Sequence, residues 1–349
     1  MESVPKQRLS NIEFLRIFAM GLIIASHLSY YGGAYYHTEG LDRFIACLFL
    51  TGGKLGVTLF VMIGGIFMAK KHISSKAIIK ILLITIIVDA AFVLPLWIVG
   101  KNASFVSVLN PLNKSWFVNV YLGLMLVSPW LNKLISVMDY KAYRNLCTIL
   151  TFFCAIFPII FFNGDYTNHF IWFVYVYLLT NFILKYKKLI ISEGFVLKLR
   201  YFISKTYLLF AMGGYIFMAY MIMQSEYYFP LRNSGSFVML IVSLVIFLFF
   251  YRLKINYSCF INWIAKGTFV AYLIHDSGHF KKFLWNNILQ CNQWYCSPKF
   301  ILYGFLTIIG ILLIGAIVGM IVEKVVLYVM NIAVVKKLTD KIDSAYQIE

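Results

Sequence analysis

Acidic side chains are scarce in this chain: 14 Asp and Glu stand against 31 Lys and Arg, and only 13% of the 349 residues are charged. Hydrophobic residues make up 61%, and the mean hydropathy is +0.81. Those values exclude an ordinary soluble globule. Also missing are a phosphate-binding Walker loop, a dinucleotide glycine fingerprint and an HExxH helix. Ser234–Gly235–Ser236 does not make a GxSxG nucleophile elbow, and the six histidines are scattered without metal-ligand spacing. Cofactor-dependent redox chemistry and zinc hydrolysis are therefore not expected, and no metal or bound cofactor is assigned. No Gly/Ser/Pro-rich linker, low-complexity tract or clear internal repeat divides the chain. One domain over residues 1–349 is expected, and an inverted-repeat transporter is disfavoured.

Instead, apolar runs of about 20 residues recur from end to end, each long enough to cross a bilayer as a helix. A β-barrel would show short alternating segments. The reading is an all-α polytopic bundle of about ten transmembrane helices, at 12–31, 44–69, 77–99, 116–135, 145–162, 168–184, 206–223, 236–251, 259–277 and 300–330. The runs at 44–69 and 300–330 exceed a simple span and imply tilt or extension beyond the bilayer. Gly52, Gly53 and Lys54 are read as a break in the former.

The net charge of +17 fits this topology and not nucleic-acid binding. With both termini cytoplasmic, the inner segments hold 22 Lys and Arg and the outer ones 8. The positive-inside rule expects that asymmetry, and the excess would also attract lipid headgroups. The short polar Met1–Ser10 segment is not a cleavable signal. Cys47, Cys147, Cys154 and Cys259 read as small apolar residues in or beside spans. Cys291 and Cys296 fall in the outer loop at 275–299, where a disulfide is allowed. Trp285, Trp294 and Tyr295 in that loop suit an interfacial belt or a sugar-stacking surface.

The first run, NIEFLRIFAMGLIIASHLSYY, carries one arginine and one histidine. Ionisable groups in a span are costly and point to function. Eleven helical positions separate Arg16 from His27, which puts them on one face roughly 16 Å apart. Glu13 is one turn from Arg16 and can neutralise it; alternatively, the guanidinium can meet a phosphate. His27 reads as a catalytic imidazole or as a polar group bonded to a neighbouring helix. Lys76 and Lys80, four apart at the inner mouth of the third span, offer a second phosphate contact. Asp89 lies in an apolar run and needs a partner, with Lys54 or Arg16 as candidates. Trp116, Asn119 and Gly123 recur at about one turn, and Tyr272 and His275 are neighbours near the outer boundary.

Four segments together resemble membrane acyltransferase family 3: IEFLRIFAMGLIIASH, KLGVTLFVMIGGIFMAKK, SWFVNVYLGLMLVSPWL and GTFVAYLIH. That family includes many bacterial O-acetyltransferases that act on surface glycans. Two departures stand out. Lys76 and Lys80 are found near where the family has an arginine pair, and Gly64–Gly65 replaces its Ser-Gly. The resemblance implies an inner-membrane enzyme moving an acyl group from acetyl-CoA to a hydroxyl of a glycan or lipid-linked glycan, of O-antigen or exopolysaccharide type. Arg16, Lys76 and Lys80 would hold the donor phosphates, and His27 would be general base or acyl relay. Glu13, Trp116, Asn119, Tyr272 and His275 would line the acceptor side or the pathway. The lack of a further basic residue beside His27 favours acetyl over succinyl. Expected partners are acetyl-CoA, the glycan acceptor, membrane lipids and a second copy or an assembly complex. A transporter or flippase for a lipid-linked glycan or small anion is the alternative reading. On either reading, Arg16 and His27 should mark the two ends of a single route.

Overall fold

The computed structural model describes residues 8–69, 75–99, 115–160, 168–192, 194–224, 237–278 and 280–345. Among them the chain is helical throughout, without a strand. In hydrocarbon every backbone N–H and C=O must be paired within the protein, and a helix does this within its own segment.

Among the described residues six helices are long and apolar enough to cross a membrane: Ser10–Tyr31, Gly40–Met68, Ser75–Ile98, Trp116–Val137, Thr206–Gln224 and Phe300–Met330. Phe237–Arg252 is apolar but shorter. The centre of the bundle is α1 (Ser10–Tyr31) packed along α3 (Gly40–Met68), with the short α2 (Ala34–His37) between them. In each of these two long helices 61% of the apolar window is buried, against 17% in α4 (Ser75–Ile98), which faces mostly outward.

Gly52 and Gly53 do not break the second span. The helix runs unbroken from Gly40 to Met68, and its glycines serve close packing. A Cβ on Gly56 would sit 2.4 Å from the Ala19 carbonyl oxygen, and one on Gly52 would sit 2.9 Å from that of Leu22. Where lipid supplies no hydrophobic drive between helices, such small residues let backbones approach and gain dispersion contacts. Ser29 then donates from Oγ to the Ala46 carbonyl, 2.7 Å, pinning the outer ends of the pair.

Around this pair stand α5 (Trp116–Val137), α6 (Tyr140–Thr151), a π turn at Phe152–Ile156, α7 (Phe157–Ile160), α8 (His169–Ser192), α9 (Gly194–Gln224) and α10 (Phe237–Arg252). The expected span at 259–277 is two helices, α11 (Cys259–Lys266) and α12 (Thr268–Asp276), meeting at Gly267. A Cβ there would lie 2.3 Å from Ala316 Cα, so this junction is pressed against α14 (Phe300–Met330). A short α13 (Phe280–Phe283) follows α12, and α15 (Ala333–Ala345) follows α14. The last helix caps α4: Asp343 accepts the Ser75 N–H at 2.6 Å, and Ser75 Oγ donates to the Thr339 carbonyl at 3.0 Å.

Candidate active site

The N-terminal end of α1, its inner end in the expected topology, is tied in place before any ligand is considered. Asn11 donates to the Phe250 carbonyl at 3.1 Å, and Ser10 Oγ accepts from the Ser258 N–H and from Asn262. One turn up, Glu13 is buried and accepts from Arg16 Nη1 at 2.7 Å, with Arg8 Nη1 at 3.6 Å. The expected Glu13–Arg16 pair is present. It leaves part of the guanidinium facing an inner cavity of about 400 Å³ that Arg8, Lys80, Lys266 and Glu323 also line. Lys80 Nζ lies 3.4 Å from Glu323 Oε1.

Lys76 is not brought to this cavity. Although it shares a helix face with Lys80, it lies a turn nearer the end of α4, where Asp340 of α15 takes its ammonium at 3.1 Å. Gly64 also lines the cavity, and a Cβ there would lie 2.9 Å from Met68 Cε and 3.0 Å from the Tyr121 hydroxyl. The tyrosine thus fills the space a side chain would need.

His27 opens into a different cavity. This outer space of about 260 Å³ is lined by His27, Tyr30, Tyr31, Lys54 and Trp116, with Tyr272 on its wall. Lys54 Nζ lies 5.0 Å from the centre of the Trp116 ring, a cation–π distance. Among the described residues, Arg16 and His27 thus line two different cavities and not the single one expected. Tyr272 is the one described residue that lines both cavities. Helical spacing did place the arginine and histidine on one flank; it could not show that a side chain from another helix divides the space between them.

The imidazole of His27 packs 5.0 Å from that of His275 and 4.9 Å from the Tyr31 ring, centre to centre. His275 is fully buried, with Nδ1 2.6 Å from the Ala271 carbonyl, and its own carbonyl accepts from Trp285 Nε1 at 3.2 Å. Beside it, Asp276 accepts from the Tyr272 hydroxyl at 2.9 Å and pairs with Lys281 at 3.3 Å. Lys281 also donates to the Tyr31 hydroxyl at 3.2 Å. Burial works against the Lys281 charge, but the Asp276 carboxylate and then Tyr31 outweigh it, and the net pKa lies above the usual lysine value.

Asp276 and Lys281 were missed by sequence reasoning, which counted Lys281 only as an outer-loop charge. An acid directly after a boundary histidine, with a lysine five residues on, was the available signal. Asp89 accepts a hydrogen bond from Ser277 Oγ at 2.7 Å, a partner that the sequence did not suggest. Asn119 lies on the exposed side of its helix and lines neither cavity. Trp116 does line the outer one, within 4.5 Å of the His169 ring. Cys291 and Cys296 are both free. The first is buried against the Tyr303 hydroxyl at 3.1 Å, while the second is exposed near the His37 carbonyl, so no disulfide joins them.

The fold and this site define a multi-pass helical membrane protein with a cationic inner cavity and an imidazole in an outer one. A sequence model for the acyltransferase domain of acyltransferase family 3 matches residues 9–321, and the chain belongs to that family. It is thus a membrane acyltransferase, and the transporter alternative is set aside. Neither the curated proteins nor the solved structures searched gave a match.

Proposed function

We propose that this acyltransferase takes an acetyl group from cytoplasmic acetyl-CoA and delivers it to a hydroxyl of a bacterial envelope or surface glycan. The observation that carries this reading is the pair of cavities on either side of Tyr272. The inner one offers Arg16 and Lys80 to phosphate oxygens; the outer one offers His27 beside aromatic walls suited to a sugar. With about ten spans and both termini in the cytoplasm of an inner-membrane protein, the basic cavity faces the side where acetyl-CoA is made. The inner-segment excess of lysine and arginine supports that orientation.

In the transfer itself, His27 acts as general base. The acceptor hydroxyl loses its proton to the imidazole while its oxygen attacks the thioester carbonyl. The C–S bond breaks, the imidazolium returns the proton to the departing thiolate, and an acetyl ester and a CoA thiol result. A two-step variant, with the acetyl group held briefly on the imidazole, requires the same ring position. The thioester must pass Tyr272 to reach His27, so that ring has to move during turnover.

The test uses membranes carrying the full chain, given labelled acetyl-CoA and an extracted envelope glycan. Label in the glycan with the native chain, and its loss in His27→Ala, is the expected result. Undiminished acetylation in that variant, or glycan mass spectra unchanged by deleting the gene, would overturn the proposal.

A further inference from the structure

We infer that His275 is a positioning residue that sets the tautomer of His27, an inference that rests on the reading of His27 as the transferring group. Nδ1 of His275 lies 2.6 Å from the Ala271 carbonyl oxygen. A carbonyl has no proton to give, so Nδ1 carries the hydrogen and donates it. In a neutral imidazole that leaves a bare lone pair on Nε2. This Nε2 is buried and has no hydrogen-bond partner.

Across from it, Nδ1 of His27 is in the same condition, buried and without a partner. The two rings are 5.0 Å apart between centres, inclined at 53°. Buried polar atoms are nearly always paired, so two orphans on adjacent rings need an account. The two atoms are not bonded as the rings stand; a turn of the His27 ring lets its Nδ1–H meet His275 Nε2, and one hydrogen bond then satisfies both. It fixes His27 in the tautomer whose Nε2 holds a free lone pair, on a ring that lines the outer cavity. That is the form in which the ring can take a proton from a hydroxyl.

His275 is held for this task. Trp285 bonds its carbonyl, the neighbouring Asp276 is anchored by Tyr272 and Lys281, and no part of the residue is exposed. The arrangement assigns direction to the chemistry. Protons then enter and leave His27 on the cavity side, with the buried side facing His275.

The direct test is the tautomer itself. The full chain, ¹⁵N-labelled at histidine and held in lipid nanodiscs, is measured by long-range proton–nitrogen correlation, with the His27 signals assigned by their loss in His27→Gln. A protonated Nδ1 and a bare Nε2 are expected for His27 in the native chain and in His275→Gln, whose amide oxygen stands in for the acceptor. In His275→Leu that preference should disappear. Should this variant fail to fold, His275→Met takes its place. A protonated Nε2 on His27 in the native chain, or no change on removing the acceptor, would overturn the inference.

Activity provides the second readout. His275→Leu should lower kcat on the order of 10²-fold with little change in KM for acetyl-CoA, and His275→Gln should recover most of it. Equal losses in both variants would overturn the positioning role. Absence of glycan acetylation by the native chain would strike the proposed function, and the tautomer measurement would still decide this inference.

Discussion

The Tyr272 hydroxyl donates to Asp276 Oδ2 at 2.9 Å, one helical turn away, and that bond holds the ring that separates the two cavities. Tyr272, on a short helix, forms part of the wall between the two, beside Phe117. Its removal should connect the inner and outer spaces without disturbing the α1–α3 core. A reporter cysteine in place of Val118, which lines the inner cavity, tests this. In the otherwise native chain a small membrane-impermeant thiol reagent applied from outside should leave that cysteine unlabelled. Adding Tyr272→Ala should open it to labelling, whereas Tyr272→Phe, which keeps the ring, should not.

Lys281 makes a second prediction, about stability. Asp276 is 5% exposed, and Lys281→Gln would leave its carboxylate buried without a cation. Uncompensated buried charge is strongly destabilising, here by about 2 kcal/mol because the lysine retains some contact with solvent. The midpoint of thermal unfolding in detergent should fall, and the double change Asp276→Asn with Lys281→Gln should recover most of the loss. The sign with pH follows from the raised Lys281 pKa. A cation stabilised in the folded state contributes fully below its unfolded value, near 10.5, and that contribution fades only as pH rises through the higher folded value. Between about pH 6 and 9 the native chain and Lys281→Gln should therefore differ by a constant amount.

How far the sequence disclosed this arrangement depends on the range of each interaction. Ser10–Tyr31 and Phe300–Met330 stand out because an apolar run of that length is a helix in lipid whatever surrounds it. The Arg16–Glu13 contact was legible for the same reason, being fixed by helical spacing. The junction at Gly267 was not, since Ala316, the residue pressed against it, is far along the chain. Lys76 and Lys80 look equivalent in sequence, yet the C-terminal helix claims one and leaves the other in the cavity. The His27–His275 contact brings together residues 248 positions apart, and spacing within one helix carries no trace of it. The shared flank of Arg16 and His27 was visible, but the tyrosine dividing it was not.

Two exposed cysteines allow the proposed orientation to be tested. Cys259 begins the helix that leads up from the inner end, and Cys296 lies in the outer loop, both as free thiols. With the proposed topology, a membrane-impermeant maleimide added to intact cells should label Cys296 and spare Cys259, which becomes reactive only after permeabilisation. Single-cysteine variants separate the two signals. Labelling of Cys259 from outside would invert the assignment of inner and outer cavities.

Donor binding offers the last prediction, and it turns on competition for one ammonium. Lys80 lies 3.4 Å from Glu323, both groups being partly open to the inner cavity, and a bound phosphate would have to share or displace that carboxylate. Glu323→Gln removes the competitor and should lower KM for acetyl-CoA. An exposed pair is worth at most about 1 kcal/mol, so the change should not exceed about fivefold. Lys80→Gln should raise KM by a comparable factor with kcat little altered, because the contact forms in the ground state and persists through transfer. Lys76→Gln should leave KM nearly unchanged, since its ammonium is outside the cavity and paired with Asp340. Raising the salt concentration should narrow the difference between the native chain and Lys80→Gln, as screening weakens exposed charge contacts. A KM that rises for Lys76→Gln and not for Lys80→Gln would place the donor phosphates at the outer edge of the fourth helix instead of inside the cavity.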